Sequence, residues 1–238
     1  VAAYTKYINM GVDAFRWDTM KHMDRATVLY FRDAFAAVNP NLFIFGETAQ
    51  KRHELHTEEK INPHWYTWRG AVGASENSGV AQLDFYAEAT FHNVFEEGGS
   101  FSNAQSCARY DNLYADPYTN LNWLDNHDFG PNNNWNQRYG GTEENLAACM
   151  NFMFTWRGIP VVYYGTEIQF MKGAYTDLHE AADIEKSIDV TGRAYYGKKL
   201  AADQIATTKS HKIYQQIRKL NQMRSQIPAL WDGDFQWG

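Results

Sequence analysis

Short apolar runs alternate with amphipathic stretches along almost the whole chain, and several runs end abruptly in charged residues. Five runs have the length and composition of strands buried on both faces: 12–17 (VDAFRW), 42–45 (LFIF), 80–86 (VAQLDFY), 121–125 (LNWLD) and 159–164 (IPVVYY). Helical spacing fills the segments between them. The chain opens in the last turns of a helix, with Tyr4, Tyr7 and Ile8 on one face and Gly11 closing it. Asp24 is a plausible N-cap for a helix to Val38, whose stripe is Val28, Phe31, Phe35 and Val38 and whose stop is Asn39-Pro40. A helical stretch runs through Phe95 to a Gly98-Gly99 break. Another begins near Thr142, with Leu146, Met150, Met153 and Phe154 on its stripe. The last, around Ser210–Arg224, carries Ile213, Ile217, Leu220 and Met223 and stops at Ile227-Pro228. The loop 129–141 is polar and turn-rich. Segment 166–206 has no strong period and reads as an elaborated loop with local helices.

Strand–helix units repeated in this order predict an α/β fold, and polar residues at the C-terminal ends of three strands point to a TIM-type (β/α)8 barrel. Only about five units are present, so the first three are expected to lie outside this chain. The alternation of strand side chains then sorts the polar residues. Arg16 and Asp18 share a face, Phe15 and Trp17 take the other, and Glu47 tops the column of Phe43 and Phe45. An isolated R-x-D is most simply an ion pair at a strand end. Three carboxylates, Asp18, Glu47 and Asp128, each after a different buried strand, overturn that simple reading, because a barrel gathers such ends around one cavity. Converging acids suit glycoside hydrolysis, in which one carboxylate attacks the anomeric carbon and a second, kept protonated, donates to the leaving oxygen. The competing use is a divalent metal site, against which the cations Arg16 and Lys21 argue.

Composition narrows the partners. With 238 residues, 44% apolar and 16% aromatic, the chain can bury a sizeable core. A net charge of −6 without long charge runs argues against nucleic acid or an anionic membrane surface. No apolar stretch approaches a membrane span. Cys107 and Cys149 have no metal spacing and read as free thiols. His53 and His56 stand too close for an H-E-x-x-H helix, so that segment reads as a solvated loop. Trp65, Tyr66 and Trp68 could stack on a sugar, although loop aromatics more often pack their own loop. There is no nucleophilic Ser or Cys with a partner base and no phosphate-cradling Gly loop. The chain lacks an initiator Met and stops just after a new segment begins, which reads as a piece of a longer polypeptide.

Four motifs, in order, carry a family resemblance. GVDAFRWDTMKH resembles the fourth-strand motif of the α-amylase family of glycoside hydrolases, FGE the fifth, WLDNHD the seventh and GIPVVYYGTE the eighth-strand segment. The resemblance covers nearly the whole chain: residues 1–230 as barrel strands 4–8, and 231–238 as the start of a following all-β domain. It implies Asp18 as nucleophile, Glu47 as general acid/base and Asp128 as the third carboxylate, binding sugar hydroxyls. It implies that Arg16 holds Asp18, that His127 contacts the same sugar, and that Lys21 and His22 line the acceptor side. No cofactor is required for the chemistry. A structural calcium is implied in some relatives, with the backbone carbonyl matching His22 as one ligand. Thr19 resembles members acting on α-1,4 links, and Glu167 in YYGTE is expected to be structural. The expected substrate is an α-1,4-glucan such as starch or maltodextrin, cleaved with retention, and an extracellular or periplasmic setting follows from the likeness. The alternatives are an α-glucanotransferase of the same family and, in a different class, a non-catalytic barrel relative used as a binding module.

Overall fold

The computed structural model describes residues 1–50, 62–128, 137–176 and 187–233. By packing, the chain divides into two compact units. The first comprises Val1–Tyr86 with Cys107–Leu121, and the second Ala87–Ser106 with Asn122–Gly238.

The first unit is built on a parallel three-stranded sheet in the order β1 (Ala14–Trp17), β2 (Phe43–Gly46), β3 (Val80–Gln82). Register pairs Ala14 with Phe43 and Trp17 with Gly46, then Gly46 with Gln82. The expected alternation holds. Phe15 meets Phe35 edge-on, ring centroids 5.4 Å apart, and Trp17 meets Phe31 at 5.6 Å. Both partners lie on α2 (Arg25–Ala36), whose N-cap Asp24 accepts from the Thr27 N–H at 3.2 Å. Helix α1 (Ala2–Asn9) buries Ile8 but leaves Tyr4 and Tyr7 half exposed, and Val38, just beyond α2, is exposed as well. The apolar stripes of both helices are therefore narrower than their sequence spacing implies. Helix α3 (Pro63–Tyr66) is tied to the segment before β3 by the Ser78 hydroxyl, which donates to Tyr66 O at 2.7 Å.

The expected strand 80–86 is cut to three residues. Leu83 N–H still reaches Gly46 O and Asp84 N–H reaches Leu121 O, but Phe85 already starts α4 (Phe85–Phe95), within which the chain passes to the second unit. Strands β4 (Leu121–Asn122) and β5 (Ile159–Pro160) are also shorter than their apolar runs. In the second unit the core gathers Phe91, Phe95, Leu146, Met150, Met153, Phe154, Ile213 and Leu220, all buried. These come from α4, α5 (Glu143–Thr155) and α7 (Lys212–Gln226). Thr142 caps α5 by accepting from Asn145 N–H at 3.1 Å. Between β5 and α7 lie short 3-10 turns and α6 (Ile205–Ser210), in keeping with the aperiodic sequence. The chain's last described helix, α8 (Ala229–Asp232), still holds residues 231 and 232. No helix among the described residues is long and apolar enough to cross a membrane.

Candidate functional site

Parallel pairing sets the carboxylate pair of the first unit. Since Trp17 lies opposite Gly46, one further step brings Asp18 and Glu47 side by side at the ends of adjacent strands, which run about 4.8 Å apart. The Arg16 guanidinium binds both, with Nη1 donating to Asp18 Oδ1 at 2.9 Å and Nη2 lying 3.2 Å from Glu47 Oε1. The surroundings of the two carboxylates differ sharply: the Asp18 side chain is 63% exposed and the Glu47 side chain only 7%. Burial pushes the Glu47 carboxyl above the usual range. The Thr19 N–H, donating to Oε2 at 3.3 Å, and the Arg16 charge oppose that rise, while Asp18 reinforces it.

The turn that follows is shaped to aim that N–H. Thr19 takes a left-handed conformation (φ 49°, ψ 33°), and a 3-10 turn, Met20–His22, carries Lys21 and His22 directly after it. Met20 is fully buried against Gly46, where an added Cβ would run into the Met20 sulfur. The His22 carbonyl is the one calcium ligand that the sequence suggested. Among the described residues no group of three or more His, Cys, Asp or Glu could hold a metal.

In the second unit, Asp128 closes a turn in which its own N–H donates to Asn126 Oδ1 at 2.8 Å. His127 Nε2 lies 2.8 Å from Asp128 Oδ2, so these two expected site residues are partners. Arg193 Nη2 donates to Asp128 Oδ1 at 2.7 Å, and Arg193 Nε donates to His127 O at 2.7 Å. Just upstream, buried Asp125 is bound by Arg138 Nε at 2.9 Å and by Thr166 Oγ1 at 2.7 Å. Sequence reasoning missed Thr19 N–H, Arg138 and Arg193. No local motif marks either arginine; Asp125, inside WLDNHD, is the only sign that the turn has an anchor.

The other candidates are engaged in packing contacts. Trp65 lies under the Arg25 guanidinium at 4.5 Å, Tyr66 donates to Met23 O at 2.8 Å and Trp68 to Leu113 O at 2.8 Å, so these loop aromatics pack against neighbouring segments. Glu167 accepts from Tyr196 Oη at 2.6 Å. Cys107 and Cys149 are buried and are not joined in a disulfide. His53 and His56 lie outside the described residues.

Comparison with known proteins supports the motif resemblance along the chain's whole length. The chain is 28% identical over 240 residues to the cyclomaltodextrin glucanotransferase of Thermoanaerobacterium thermosulfurigenes, covering 99% of this chain and 28% of that protein. It is 27% identical over 250 residues to the α-amylase of Streptomyces lividans, covering 97% of this chain and 25% of that one. The chain thus spans about a quarter of the length of such relatives. Among solved structures, the acarbose complex of the α-amylase from Geobacillus thermoleovorans matches with a TM-score of 0.68 at 20% identity, covering 99% of this chain and 45% of that one, which shows a shared fold. No family model matches the chain.

Proposed function

We propose that this chain, whose relatives are α-amylase-family enzymes, supplies strands 4–8 of a (β/α)8 barrel and the catalytic carboxylates of a retaining glycoside hydrolase acting on α-1,4-glucans. The observation that carries the reading is the pair Asp18 and Glu47, two carboxylates on one guanidinium whose environments set them apart. Exposed, salt-bridged Asp18 suits a nucleophile, and buried Glu47, with its raised pKa, suits an acid that is still protonated when substrate binds. Asp18 attacks the anomeric carbon while Glu47 protonates the departing glycosidic oxygen, leaving a glycosyl ester on Asp18. Glu47, now a carboxylate, then deprotonates the water that breaks that ester. In this reading Asp128 and His127 bind sugar hydroxyls of the reacting unit, and Lys21 and His22 face the acceptor. No step needs a metal.

A second reading, glucanotransfer, differs only in that a sugar hydroxyl takes the place of water. It draws support from the cyclomaltodextrin glucanotransferases among the relatives. A non-catalytic binding module is disfavoured by the presence of all three carboxylates.

The test uses the whole protein that contains this chain. Asp18→Asn and Glu47→Gln should each remove most turnover of soluble starch while the thermal melt stays near wild type, and NMR should show the α-anomer as first product. Near-normal turnover by either variant, or a β-anomer product, sinks the assignment. Cyclic products instead of linear ones would select transfer over hydrolysis.

A further inference from the structure

We propose that Arg193, far from Asp128 in sequence, is the positioning residue that fixes the third carboxylate, with Arg138 as the buried anchor of both. The proposal rests on the glycosidase reading and extends it to a residue that no motif marks.

A carboxylate on a turn after a strand can rotate about two side-chain torsions, and its carboxyl must be aimed to be useful. Here both oxygens are taken. Oδ2 faces His127 Nε2 at 2.8 Å and Oδ1 accepts from Arg193 Nη2 at 2.7 Å. The same guanidinium donates through Nε to the His127 carbonyl at 2.7 Å. One planar group thus holds the side chain of Asp128 and the backbone just before it, a two-point grip that fixes direction as well as distance. A lysine has no such fork.

Arg193 must itself be held. The turn Ser187–Thr191 sets it: the Arg193 N–H donates to Thr191 Oγ1 at 3.2 Å, and Thr191 Oγ1 donates to Ile188 O at 2.7 Å. The preceding residue, Gly192, gives its carbonyl to Arg138 Nη1 at 3.1 Å. Arg138, with a side chain only 1% exposed, also grips Asp125, three residues before Asp128. Its guanidinium therefore ties the start of the Asp128 turn to the base of Arg193. A Cβ on Gly192 would come within 2.7 Å of Arg138 Cγ, so the glycine is what lets Arg138 lie there.

The expected signature is a loss in turnover rather than in binding of the unreacted chain. In the whole protein, Arg193→Ala should lower kcat on soluble starch roughly 10- to 100-fold, the range for one or two lost charge-assisted hydrogen bonds, with KM changed less than about threefold. Arg193→Lys, which keeps charge but grips one partner, should fall between. Acarbose affinity by calorimetry should weaken in Arg193→Ala and show no further weakening when Arg193→Ala is added to Asp128→Asn. A merely structural arginine would instead cost the same in both backgrounds. If Arg193→Ala melts early, the lysine variant and Gly192→Ala decide by the same kcat and affinity readouts. Full kcat in Arg193→Ala, or additive losses with Asp128→Asn, overturns the proposal. Full activity in Asp128→Asn overturns instead the glycosidase roles on which it stands.

Discussion

Glu47 shows how much of a carboxyl's chemistry is set by its immediate neighbours. Removal from water raises its pKa, and Asp18 adds to the rise, so Asp18→Asn should lower it. A 13C titration of the Glu47 carboxyl in wild type and variant checks this, and an unchanged or higher value in the variant contradicts the local picture. For turnover the sign is fixed. An acid that must be protonated loses activity as pH rises through its pKa, so the alkaline limb of kcat/KM should track Glu47. A second group, His64, titrates with a different consequence. Burial holds its imidazole down at about 4, against about 6.5 when unfolded. The unfolded chain therefore binds the proton first, and stability should fall as pH drops from about 6.5 toward 4. Urea midpoints at pH 7 and 4.5 should differ in wild type and converge in His64→Gln; an equal drop in both excludes His64 as the cause.

At the level of elements, caps and strand lengths tell different stories. Thr142 holds the Asn145 N–H at the start of α5, and Thr142→Ala should cost about 1 kcal/mol, read from a shift in denaturation midpoint without a change in slope. The Asp24 cap was legible in the sequence because a cap is a local hydrogen bond from a particular residue type, whereas for α5 the apolar stripe gave the start near Thr142 without the cap. The pairing of Asp18 with Glu47 was legible too, since alternation and two apolar runs fix it. Strand ends were not. Residues 83–86 carry an apolar alternation that continues into Phe85, but α4 takes over there, and only the backbone donors of Leu83 and Asp84 keep the ladder's direction. Arg193 was invisible for the opposite reason. Its partner lies 65 residues away, and nothing in an aperiodic segment announces a long-range ion pair.

For the molecule as a whole, β1 is the telling element. Among the described residues it pairs only with β2, which leaves a row of backbone donors and acceptors along its other side. Beside it opens a cavity of 390 Å³ lined by Tyr4, Phe15, Trp17, Phe31 and Phe35 among others. An unpaired edge next to aromatic surface is a template for another strand. Residues 1–238 expressed alone should therefore self-associate and fail to hydrolyse starch, and light scattering with a starch assay reads both. A monodisperse, active monomer would refute the proposed assignment to strands 4–8.

The left-handed backbone at Thr19 has a further consequence for how this sequence can change. A branched side chain in that conformation costs on the order of 1–2 kcal/mol, which glycine would not incur. Any search for sturdier variants, natural or directed, is therefore drawn toward glycine at position 19. Yet a more mobile residue there loosens the N–H that steadies Glu47 Oε2. Durability and turnover pull in opposite directions at this one position, so Thr19→Gly should melt later and work more slowly.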